Sequence, residues 1–131
     1  MCLSELSYNL KEEFRGKTFG WKVFEKGPIT KKLFPQIEGL QKVLQLNRWL
    51  DELDFRSNKQ HKKLSTNNTN HPYPTGWHIF LTRKGARAWS RDCNGNVIRK
   101  VEFKEPVAYG FQYEYPIVVA KKILIVPNSR G

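Results

Sequence analysis

Alternation of apolar and polar residues marks out strands in several places. Residues 20–26, Gly-Trp-Lys-Val-Phe-Glu-Lys, alternate with the period of a half-buried strand, and Gly27-Pro28 ends it. Residues 77–81, Trp-His-Ile-Phe-Leu, predict a second strand. In 97–103 Val97, Val101 and Phe103 share a face that Arg99 interrupts, Pro106 breaks the run, and 107–110 resume it. Residues 117–126 are the most strand-like stretch, split by Lys121 and Lys122. Asn94-Gly95 is a turn signal ahead of the third strand.

Helical spacing appears elsewhere. Ile37, Leu40, Val43, Leu44, Leu50 and Leu53 recur near every 3.6 residues and predict an amphipathic helix over 37–55. A short helix is predicted over 4–14, and Thr82 can cap a helix running to about residue 92. Between these lies a stretch poor in regular pattern: a basic run from Arg56 to Lys63, then Ser, Thr and Asn, then His71-Pro72-Tyr73-Pro74-Thr75-Gly76. It reads as a flexible basic and polar loop over about 56–76. The expectation is one α+β domain over 1–131, a mostly antiparallel sheet with one or two packed helices, and with Trp77, Phe80 and Trp89 in the core.

Composition narrows the class. The chain has 131 residues, 39% of them hydrophobic and 13% aromatic, enough for one core. No apolar stretch approaches the roughly 18 residues of a membrane span. The first residues, Met1-Cys2-Leu3-Ser4-Glu5-Leu6, lack the pattern of a secretory signal, and two cysteines make no disulfide framework, so a cytoplasmic protein without membrane attachment is expected.

Charge points to a partner. The net charge is +11, and residues 56–131 hold fourteen Lys/Arg against four Asp/Glu, whereas residues 1–55 are near balance. Such asymmetry suits an anionic partner: nucleic acid, or an acidic protein or nucleoprotein surface. On the helix over 82–92, Arg83, Lys84, Arg87 and Arg91 fall within about a 100° arc, with Ala86 and Trp89 on the neighbouring face. Four cations of one sign along a helix flank suit a row of phosphates. Arg56, Lys59, Lys62 and Lys63 form a second basic patch in the loop.

Catalytic signatures are incomplete. Gly16-Lys17-Thr18 lacks the upstream glycine and strand of a phosphate-binding loop, and His71, His78 and Cys93 have no recognised metal spacing. No metal and no cofactor are therefore expected. A nucleotide pocket around His78, Tyr109, Tyr113 and Glu114 is the alternative. It rests on the aromatic density of Tyr-Gly-Phe-Gln-Tyr-Glu-Tyr over 109–115, which reads as a contact loop.

Several sequence words resemble small proteins carried by phages and prophages: Met1-Cys2-Leu3-Ser4, Gly20-Trp21-Lys22-Val23-Phe24, residues 76–82, 97–101 and 107–110, and Val118-Val119-Ala120-Lys121-Lys122. That resemblance implies a viral accessory role, such as blocking a host defence of the CRISPR type or trapping a signalling nucleotide. The order strand, helix and late glutamate is also similar to the ADP-ribosyltransferase layout, in which Phe80 and Glu114 would flank a nicotinamide cofactor. The first strand offers Trp21, Lys22 and Val23 where that family has His or Arg. The function expected from the sequence is thus a basic, non-enzymatic binder of an anionic partner.

Overall fold

The computed structural model describes residues 3–26, 33–34, 46–55, 63–90 and 96–127. Within them the chain runs β1 (Glu5–Leu6), α1 (Asn9–Glu13), β2 (Phe19–Lys26), β3 (Leu33–Phe34), β4 (Trp49–Asp51), a 3-10 turn at Glu52–Phe55, β5 (Lys63–Ser65), β6 (Pro72–Pro74), β7 (Trp77–Phe80), α2 (Arg83–Ser90), β8 (Asn96–Gln112) and β9 (Tyr115–Ile125). This is an α+β fold with a mostly antiparallel sheet and two short helices. No helix among the described residues is long and apolar enough to cross a membrane.

The sheet is organised by its two longest strands. Strand β8 pairs with β2 through its first half and with β9 along residues 101–112. Strand β9 pairs on its other edge with β7 and, further along, with β4. A single pair, Trp21 opposite Phe80, joins β2 to β7. The ladders therefore close a circuit, β2–β7–β9–β8, with β1, β3 and β4 attached along it.

Alternation assigns the two faces. Phe24, Trp77, Ile79, Val101, Phe103, Val118, Ala120, Ile123 and Ile125 form one buried cluster. Val23, Phe80, Ile117 and Val119 point the other way and are covered by Leu3, Tyr73 of β6 and Ala86 of α2. Burying each large aliphatic or aromatic side chain contributes about 1.5–3 kcal/mol, so the fully buried Trp77, Phe24 and Phe80 dominate the core. Trp77 and Phe80 are core as the sequence predicts, and Trp89 is half-buried over Phe80, ring centres 6.5 Å apart.

Four local expectations change. The helix over 4–14 shortens to Asn9–Glu13, because Glu5 and Leu6 pair with Phe111 and Gly110 of β8. Residues 37–45 of the long amphipathic helix lie outside the described residues. Over 46–55 the chain is a strand and a 3-10 turn: Leu50 is buried between half-buried Trp49 and Asp51, and the three residues pair with Lys122–Leu124, beyond the reach of β7. In the loop over 56–76, Leu64 and Tyr73 are opposite each other in a β5–β6 hairpin. Its turn is held to the N-terminal segment by Asn67 N–H to the Leu3 carbonyl (2.9 Å) and Asn68 N–H to that of Ser4 (3.0 Å). Finally, Pro106 does not end its strand. The register shifts between Pro106 and Ala108, leaving Val107 unopposed, and Glu105 adopts φ +54°. A bulge tolerates a residue that cannot donate to the ladder.

Candidate functional site

Helix α2 begins as the sequence predicts. Thr82 Oγ1 accepts the backbone N–H of Gly85 at 3.2 Å, one of the amides that the helix start leaves without an internal partner. The helix then lies close on the sheet. A Cβ at Gly85 would stand 2.8 Å from Phe80 Cδ1 and 2.9 Å from Tyr115 Cβ, so glycine permits the approach. With Gly85 and Ala86 buried beneath it, the helix presents Arg83, Lys84 and Arg87 to solvent. Arg91, the fourth predicted cation, lies outside the described residues, as do Arg56, Lys59 and Lys62. Lys63 opens strand β5.

Beside α2 stands a set of cations and aromatic rings. Lys17 Nζ donates to the Leu81 carbonyl at 2.8 Å, two residues before the helix. It lies 5.6, 5.0 and 5.1 Å from the ring centres of Phe14, Phe19 and Trp21. Partial burial lowers its pKa. Phe19 and Trp21 are half-buried and meet edge to face, centres 5.8 Å apart. Their cross-strand partners on β8 are Glu102 and Lys100, and Lys100 Nζ sits 4.3 Å from the Phe19 ring centre. Further along β8, Lys104 Nζ lies 3.8 Å from the Trp49 ring centre. Each cation–ring contact at such partly exposed sites contributes about 0.5–1 kcal/mol.

Sequence reasoning found the helix cations and missed Lys17, Phe19 and Lys100 as their neighbours. The signal was present in part: Phe19 and Trp21 share a strand face by simple alternation. What places Lys100 beside them is the β2–β8 register, a pairing of strands about 80 residues apart.

The four residues of the predicted pocket occupy different settings in the fold. His78 is 6% exposed, and its Nε2 lies 3.0 Å from the Tyr73 hydroxyl. That hydroxyl also accepts the Leu3 N–H at 2.9 Å. Burial, together with the Lys22 charge, lowers the His78 pKa to about 3, against a hydrogen bond to the Gly76 backbone that raises it. A bond that favours the charged ring goes to the Gly76 carbonyl. The ring is therefore neutral, protonated on the nitrogen facing Gly76, and its Nε2 accepts the Tyr73 proton. Tyr109 is half-buried on β8, whereas Tyr113 and Glu114 form the exposed turn between β8 and β9, Tyr113 with φ +56°. The contact loop expected over 109–115 is thus mostly strand. Phe80 is buried under α2, and Glu114 is exposed in the β8–β9 turn. Among the described residues no group of three His, Cys, Asp or Glu side chains gathers for a metal.

No family model, curated protein or solved structure matches the chain.

Proposed function

We propose that the protein binds a nucleic-acid strand, bare or within a nucleoprotein, without catalysis. The observation that carries this reading is the position of Lys17. Its hydrogen bond to Leu81 joins the exposed cations of α2 to the aromatic face of Phe19 and Trp21. Phosphates would lie along Arg83, Lys84 and Arg87 and reach Lys100, with Lys17 beside the bases. Bases would stack on the uncovered parts of Phe19 and Trp21, worth about 1–3 kcal/mol per stacked base. Such contacts are tolerant of sequence, because every base has a flat face and every nucleotide a phosphate. A protein of this kind obstructs a nucleic-acid machine by occupying its strand, and that is how the accessory role implied by the phage likeness would be exercised.

The test is fluorescence anisotropy with labelled single- and double-stranded DNA and RNA across a salt series. Binding should weaken steeply with salt, and the variant carrying Arg83→Glu, Lys84→Glu and Arg87→Glu should bind roughly a hundredfold more weakly. Its circular dichroism should stay unchanged, since all three side chains are exposed. Unaltered binding by the folded triple variant would overturn the reading.

A further inference from the structure

A separate cavity of about 370 Å³ opens between α1, β6 and the bulged part of β8. Tyr73 and Tyr109 line it, the bulge residues from Pro106 to Ala108 form a wall, and Ser7, Tyr8 and Lys11 stand along the α1 side. Three features indicate a built site. The floor is fixed, because the Tyr73 hydroxyl is held between Leu3 N–H and His78. The wall depends on the register shift at Pro106, and bulges commonly re-aim residues beside binding sites. The rim leaves aromatic surface uncovered: Tyr8 is 87% exposed.

The chemistry of the lining restricts the occupant. Lys11 is the one charged residue of the lining among the described residues, so the site favours an anion. Rings and proline faces supply flat apolar contact, while the Ser7 and Tyr8 hydroxyls can both donate and accept hydrogen bonds. The volume falls near the lower end of the range for small-molecule pockets, enough for one ring system and a charged tail.

We propose that this cavity binds a mononucleotide, its base against Tyr8 and the Pro106–Ala108 wall and its phosphate on Lys11. The nucleotide is either free or the 5′ end of a strand, and both present the same ring and the same phosphate. The site is independent of the α2 face, so either can fail alone.

The experiment is isothermal titration with adenosine 5′-monophosphate, adenosine and ribose 5-phosphate, on the full chain and on Tyr8→Ala, Lys11→Gln and the triple α2 variant. The monophosphate should bind saturably. Lys11→Gln should weaken it roughly tenfold or more while leaving adenosine little changed. Tyr8→Ala should weaken both, and ribose 5-phosphate should bind poorly. The triple α2 variant should bind the monophosphate as the parent does. Both single changes sit at exposed positions, so the fold is retained and a null result is interpretable. Oligonucleotides with and without a 5′-phosphate, titrated into the triple α2 variant, separate the sources: a phosphate-dependent gain that Lys11→Gln removes indicates a strand end, and its absence a free nucleotide. No saturable monophosphate binding at millimolar concentration, or binding that ignores both Tyr8 and Lys11, would overturn the proposal.

Discussion

Lys22 Nζ donates a 2.9 Å hydrogen bond to the backbone carbonyl of His78, and the two side chains leave the sheet on opposite faces. The ammonium is buried between the rings of Phe24 and Trp77, 5.9 and 5.7 Å from their centres. Burial lowers the Lys22 pKa to about 8 and, as the largest cause, that of His78 to about 3. Both groups thus bind protons less readily in the folded chain than in the unfolded one.

Stability should therefore rise with pH in two windows. The unfolded chain holds the extra proton between about pH 3 and 6.5 for His78, and between about 8 and 10.5 for Lys22. Denaturation midpoints should fall as pH drops below 6.5 and climb above 8, each with a slope of about 1 kcal/mol per pH unit. Lys22→Met should flatten the alkaline rise and raise stability at pH 7, since it removes a buried charge. Urea titrations from pH 4 to 10 measure both slopes, and a flat profile for the parent protein would contradict the assignment.

Tyr73→Phe should destabilise the fold by about 1–3 kcal/mol, because it leaves the Leu3 N–H and His78 Nε2 buried without their shared partner. The urea midpoint reads the loss. Tyr73→Phe in a His78→Phe background should cost less than in the parent, since the second orphan is gone.

Gly110→Ala should unseat β1. A Cβ there would collide with the Glu5 carbonyl oxygen and stand 2.9 Å from Leu3 Cδ1. Backbone cannot give way as a flexible side chain can, so a loss of about 1–3 kcal/mol is expected. Amide exchange of Ser4 and Ser7, which donate to the Phe111 and Tyr109 carbonyls, should accelerate more than that of β9.

Lys100→Gln should weaken nucleic-acid binding uniformly across sequences and lower the salt slope by about 0.7–0.9, the effect of one phosphate contact. Affinity measured at several salt concentrations checks it. An unchanged slope would remove Lys100 from the binding face.

Local signals carried much of this fold. The 20–26 alternation, the apolar 77–81 run and the Thr82 cap lie at β2, β7 and α2, because period and cap chemistry act over a few residues. Where tertiary pairing decides, sequence reading failed. Leu50 fits a helical repeat, yet it is buried in a strand because the β9 edge beyond β7 is open to it. Pro72 and Pro74 read as loop, yet they flank a buried tyrosine in a two-stranded hairpin, where missing N–H groups are tolerated. The helix cations were legible from one angle calculation. The Lys100–Phe19 contact was not, since no local rule sets the β2–β8 register.

The closed circuit also orders the birth of the molecule. Strands β8 and β9, which accept the ladders of β1, β2, β4 and β7, are the last described elements in the chain. Synthesis proceeds from the N-terminus at about 5–20 residues per second. On the ribosome, β2 and β7 are therefore complete seconds before the partners that bury them exist. Those earlier strands wait without their main partners, and the circuit closes only once β8 and β9 have been made.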